Sequence, residues 1–163
     1  MDIEEIATRQ GIFETLARYC RSLDRMDEKL FDGLWHVAAT VDYEGIYQGD
    51  AAGLRKYLWA THASMAMHSH QIAGIQIECD GDHVVSEAYV TVHLWTRPDA
   101  HGQQTEVLSR GRYLDHWECR GGACRIRHRV HVADMQSFRT LESGRTDASV
   151  TRDPTDRSYE FLA

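Results

Sequence analysis

From about residue 68 onward the spacing of apolar residues changes from three-and-four to two, and this switch limits the possible folds more than anything else in the chain. IQIEC, the DGDH turn at 80 to 83, and VVSEAYVTVHLW read as two antiparallel strands joined tightly. After the polar loop TRPDAHGQQ comes a third strand, EVLSRGRYLDHWE, and the RGGA turn at 120 to 123 leads into a fourth, CRIRHRVHVAD. A run of long antiparallel strands is therefore expected in the second half.

The first half carries the helical period. Ile12, Phe13, Leu16, Ala17, Cys20 and Leu23 form one stripe, which predicts an amphipathic helix over 3 to 24. Leu30, Phe31 and Leu34 predict a short helix from Asp27 to Trp35, and VDYEGIYQG reads as extended with a turn inside it. DAAGLRKYLWATHASM predicts a helix with Asp50 as its N-cap. Helices followed by a sheet make an α+β domain, with the helices on one face of a curved sheet that encloses a pocket. The expected domain spans 1 to 136. Residues 137 to 163 form a polar C-terminal tail whose final Phe161 and Leu162 are expected to dock.

With 163 residues the chain is one domain, long enough to bury roughly two-thirds of its unfolded surface. No apolar run approaches the roughly 20 residues of a membrane span, so no membrane partner is expected. The net charge of −7 repels nucleic acid and anionic lipid. MDIEEIATRQ has no basic segment leading into an apolar one, which predicts a cytoplasmic protein. Cys20, Cys79, Cys119 and Cys124 are expected as free thiols, although Cys119 and Cys124 flank a Gly-Gly turn and could face each other across a hairpin.

The residues with chemical potential are more specific. Phe13, Ala17, Cys20 and Asp24 share one helical face, so a carboxylate ends a buried stripe and needs a partner, unless it sits exposed at the helix end. Tyr19 lies about 140° around the helix from Asp24. In the second strand Val85, Glu87, Tyr89, Thr91, His93 and Trp95 share one face, and Val84, Ser86, Ala88, Val90, Val92 and Leu94 share the other. The aromatic and polar face suits a pocket wall, and also a solvent-facing surface. His62, His68, His70, His93, His116, His128 and His131 lack HxxxH or paired CxxC spacing, so no metal and no cofactor are expected. No GxSxG nucleophile elbow is present.

The order IFETLARYCRSLDRMD, DYEGIYQG, HQIAGIQIECDGD, EAYV, RYLDHWE and RIRHR resembles the scytalone dehydratase-like and SnoaL-like branch of the cone-shaped fold of nuclear transport factor 2, over roughly residues 3 to 136. The resemblance implies a lyase, a cofactor-independent dehydratase, in which His70 takes a carbon-bound proton and Asp24 orients it. Tyr19 would donate to a carbonyl or leaving oxygen, His93 would assist the departing hydroxyl, and Arg129 would match a basic residue of the last strand. By the same resemblance, Arg129, His131 and Ala133 point inward. Tyr43, Thr61, Met65, His68, Tyr89, Thr91 and His131 would line the substrate pocket. The substrate would be a small, apolar, cyclic hydroxy-carbonyl compound, and the protein a homotrimer or dimer built through the outer sheet face. The same fold also serves isomerases, polyketide cyclases, ligand-binding proteins and the non-catalytic small subunit of ring-hydroxylating dioxygenases. His68, beside the dyad, has no fixed role in the family.

Overall fold

Asp2 caps the first helix, its carboxylate accepting from the Glu5 amide at 2.8 Å, with Glu4 and Glu5 in the first turn where the helix dipole favours anions. The computed structural model describes residues 2–142 and 150–162. Along the chain it contains α1 (Ile3–Asp24), α2 (Glu28–Asp32), β1 (Trp35–Tyr43), β2 (Tyr47–Asp50) and α3 (Ala51–His62). These are followed by β3 (Met65–Asp80), β4 (His83–Thr96), β5 (Gln103–Arg120), β6 (Ala123–Glu142) and α4 (Ser158–Phe161).

All six strands form one sheet in the order β2-β1-β6-β5-β4-β3. The α+β class and the helix-covered face follow the expectation from the sequence. The pairing departs from it in one place, because β1 enters from α2 and runs parallel to β6, making the sheet mixed. Register shifts at Arg110/Gly111 and His116/Trp117 in the long β5–β6 pair, and at Ala73/Gln76 in β3, bend the sheet.

The inner face of β4 is the aliphatic one. Val84, Ser86, Ala88 and Val90 are buried, and the apolar members pack with Ile12, Leu16, Tyr19 and Leu23 of α1. The aromatic and polar face of β4 is turned outward, with Tyr89 54% exposed.

The buried stripe of α1 is rotated from the predicted one. Ile12, Thr15, Leu16, Tyr19, Cys20, Ser22 and Leu23 are buried, whereas Phe13 is 46% exposed. The contact with the β5–β6 turn sets this rotation. Thr15 Oγ1 donates to the Cys124 carbonyl at 3.1 Å, and a Cβ added to Gly11 would stand 2.0 Å from the Gly122 carbonyl oxygen. Only a glycine at position 11 permits that approach.

Other boundaries moved for identifiable reasons. The second helix ends at Asp32, because the Leu34 carbonyl accepts from the Ile126 amide at 2.9 Å and draws Trp35 into β1. Asp50 caps α3 as expected, accepting from the Gly53 amide at 2.7 Å. Cys119 and Cys124 are joined in a disulfide across paired positions of β5 and β6, which leaves only Cys20 and Cys79 as free thiols.

The expected boundary at 136 moves, because β6 continues to Glu142 and pairs with β5 over its whole length, so residues 137 to 142 belong to the sheet; residues 143 to 149 lie outside the described residues. Beyond them, the chain is pinned back onto α1 and α3. Arg25 donates to the Thr151 carbonyl at 3.0 Å, Tyr159 donates to Asp27 at 2.7 Å, and Arg152 donates to the His62 and Met65 carbonyls. Phe161 and Leu162, predicted to dock, are 80% and 70% exposed; polar side chains attach the segment instead.

Candidate active site

Asp24 is the last residue of α1, and His70 lies on β3 opposite Val92, so its side chain shares the inner face of the sheet with Val90 and Ala88. His70 Nδ1 lies 2.6 Å from Asp24 Oδ1, and the His70 backbone amide donates to both carboxylate oxygens at 3.1 and 3.2 Å. The carboxylate is therefore fixed from two directions. An ionised carboxylate only accepts, so Nδ1 carries the hydrogen and Nε2 is left as the basic nitrogen. The side chain of His70 is 4% exposed and that of Asp24 is 18% exposed. The alternative of an exposed Asp24 at a frayed helix end does not hold.

Three more histidines surround this pair. The His62 and His68 rings are 4.3 Å apart at their centroids, and each lies 6.3 Å from His70. Burial pushes His62 down to about 4 and His68 down to about 3. His131 stacks on Tyr43 at 4.9 Å, and burial, reinforced by the Arg129 charge, brings it to about 4. All three are neutral imidazoles at pH 7. Cys20, buried below Asp24, is pushed up to about 12 by burial and stays a thiol.

Arg129 sits deeper, fully buried, and forks onto Asp115 through Nε at 2.6 Å and Nη2 at 2.7 Å. Its guanidinium lies 4.2 Å from the Tyr19 ring centroid and 4.1 Å from that of Tyr113. Tyr19 and Tyr43 join hydroxyl to hydroxyl at 2.5 Å. Burial raises both phenols, so each keeps its proton.

Asp24, His70, His68 and His131 thus gather on the inner side with Tyr19, Tyr43 and Arg129 below them. Tyr89, Thr91 and His93 do not join them, because strand alternation turns all three to the outer face. His93 there approaches Glu106 at 3.4 Å, beside the Trp95 indole, which donates to the same oxygen at 3.0 Å. Thr61 is exposed and bonds back to the Tyr57 and Leu58 carbonyls of its own helix. Met65 is half-buried, and its carbonyl holds Arg152. Two surface concavities, of about 790 and 260 Å³, lie elsewhere, one beside Glu5 and Cys79 and the other beside Trp35 and Arg55.

Sequence reasoning missed Asp115, His62 and Arg152. Asp115 could have been found, since it falls on the same alternating face as Tyr113 and Trp117. Nothing in the local sequence marks the other two, which meet the site only in three dimensions. Among the described residues, no three His, Cys, Asp or Glu side chains converge as metal ligands, and no helix is long and apolar enough to cross a membrane.

The model of the SnoaL-like domain matches residues 4–130. The chain belongs to the SnoaL-like domain family. Among curated proteins none matches it in sequence. Solved structures share the fold at low identity. A hexachlorocyclohexane dehydrochlorinase of type 2 is similar with a TM-score of 0.75 and 18% identity, over 91% of this chain and 99% of that one. A protein assigned as a scytalone dehydratase from Novosphingobium aromaticivorans gives a TM-score of 0.72 and 16% identity, over 90% and 100%. One assigned as an aromatic ring hydroxylase from the same organism gives 0.67 and 20%, over 83% and 94%. The SnoaL-like domain thus has the cone fold of the nuclear transport factor 2-like superfamily.

Proposed function

We propose that this SnoaL-like protein is a cofactor-independent dehydratase that removes water from a cyclic hydroxy-carbonyl compound through Asp24 and His70. The 2.6 Å contact between His70 Nδ1 and Asp24 Oδ1, in a site almost closed to solvent, is the observation that carries this reading.

His70 Nε2 takes the proton from the carbon next to the carbonyl, and the electron pair of that C–H bond forms the enolate. As the enolate collapses, a carbon-carbon double bond forms and the β C–O bond breaks. The hydroxyl leaves with the proton returned from His70, so substrate becomes enone plus water. Asp24 stabilises the charge that proton abstraction places on the ring, in a low-dielectric setting where such a contact is strong. Tyr19 and Tyr43 are both protonated, and because one hydroxyl donates to the other, the pair has one O–H left for the developing oxyanion. Arg129 sets the positions of the Tyr19 and Tyr113 rings while Asp115 balances its charge. On this reading His93, outside the sheet, has no part in the chemistry.

The outer sheet face, with Tyr89 54% and Met135 46% exposed, supports the homotrimer or dimer proposed for this chain; light scattering would give the state. The dyad is tested by His70→Ala and Asp24→Asn on any substrate the wild type converts. Turnover should fall by about 10²- to 10⁴-fold in each, with the product lighter than the substrate by one water. Full turnover in either variant would refute the dehydratase reading.

A further inference from the structure

His68 occupies the same inner face of β3 as His70, two residues away, and is 4% exposed. Its Nδ1 lies 3.3 Å from the Leu23 carbonyl oxygen in the last turn of α1. A carbonyl only accepts, so the hydrogen sits on Nδ1 and Nε2 is an acceptor with a free lone pair. That Nε2 is buried and has no partner, and neither has Nδ1 of His62 on the adjoining ring. A buried polar atom left unpaired costs about 1–3 kcal/mol, so the two on adjoining rings call for a hydrogen-bonding partner that no described side chain supplies.

The chemistry of that group follows from the two nitrogens. His68 Nε2 requires a donor, and His62 Nδ1 takes either role according to its tautomer. A hydroxyl both donates and accepts, so it can satisfy the two rings together. A carbonyl, an ether oxygen or a halogen cannot donate to His68 at all. Protonation does not rescue them, since burial and the charge of Arg152 keep both imidazoles neutral at pH 7.

We propose that the His62 and His68 pair forms a hydroxyl-binding subsite beside the dyad, and that it selects hydroxylated ring substrates over halogenated or etherified ones of the same shape. His68 is the specificity-determining acceptor. The proposal rests on the dyad as the reacting centre, and it narrows the substrate to a ring with a free hydroxyl within reach of His68 while His70 faces the acidic carbon.

Binding separates this from the dehydratase reading, because it needs no turnover. The probes are 4-hydroxy-1-tetralone, 4-hydroxycyclohexanone and their methyl ethers, whose hydroxyl or ether oxygen is not β to the carbonyl and so is not eliminated by the proposed step, titrated calorimetrically into wild type, His68→Phe and His68→Gln. Wild type should bind at least one alcohol about tenfold more tightly than its ether, the scale of one good hydrogen bond. His68→Phe should abolish that preference, and His68→Gln, which keeps an acceptor oxygen, should restore part of it.

In ¹⁵N-histidine-labelled wild type, the His68 Nε2 resonance should begin as that of an unprotonated nitrogen and move upfield when the alcohol is added. This readout stands even if His68→Phe does not fold. Loss of activity in His70→Ala with no alcohol preference and no Nε2 shift in wild type would overturn the subsite alone. Alcohol preference with full activity in His70→Ala would leave the subsite standing and remove the dehydratase reading.

Discussion

Asp115 and Arg129 form an ion pair with both side chains 0% exposed, at the centre of three aromatic rings. Two charges are kept there only because each satisfies the other, and Arg129 Nη1 still has no partner. Asp115→Ala would strand a guanidinium that cannot lose its proton, and stability should fall by about 3–5 kcal/mol in urea unfolding. Replacing both together, as Asp115→Leu with Arg129→Met, should lose far less. Equal losses from the single and double variants would mean that packing volume, and not charge pairing, dominates the site. On the proposed reading Arg129, fully buried against Asp115, positions its neighbours, while His70 is the reacting base.

At the scale of the element, α1 carries the site because its C-terminal end and its middle do different work. The middle is pressed onto the β5–β6 turn through Gly11 and Thr15, and that contact sets the rotation that buries Tyr19 and brings Asp24 to His70. A methyl at Gly11 meets backbone, which cannot swing aside as a side chain can. Gly11→Ala should therefore destabilise the fold by about 1–3 kcal/mol despite alanine's better helix propensity, as read by thermal unfolding. Because the helix must tilt or slide to admit the methyl, activity should fall with it. A more stable Gly11→Ala protein would show that the close approach does not hold α1 in place.

For the whole molecule, pH reports the buried histidines. His62 and His131 take up a proton near pH 4 and His68 near pH 3 when folded, against about 6.5 when unfolded. Between those values the unfolded chain holds more protons, so stability is complete above about pH 6.5 and drains away as the solution is acidified toward 4. The loss should be on the order of several kcal/mol, seen as a falling urea midpoint. The three ring signals in NMR should remain those of neutral imidazole down to pH 5. Titration of any of them near 6.5 in the folded protein would remove that histidine from the account.

The sequence by itself determined the kinds of element and their order from α1 to β6, since a period of 3.6 and a period of 2 are local properties, but not the short α4 in the expected tail. Periodicity placed Asp24 at a helix end and His70 at a strand opening; only the family resemblance suggested that they pair, and the 2.6 Å contact belongs to the tertiary structure. The sequence could not decide which side of a strand faces inward, since alternation names two faces without saying what covers them. α1 settles that by packing on Val84, Ala88 and Val90, which sends Tyr89, Thr91 and His93 outside. The parallel β1–β6 pairing and the meeting of Asp115 with Arg129 were likewise decided by tertiary structure. So was the gathering of His62 with His68, since burial and pairing between distant segments exist only after the chain has closed on itself.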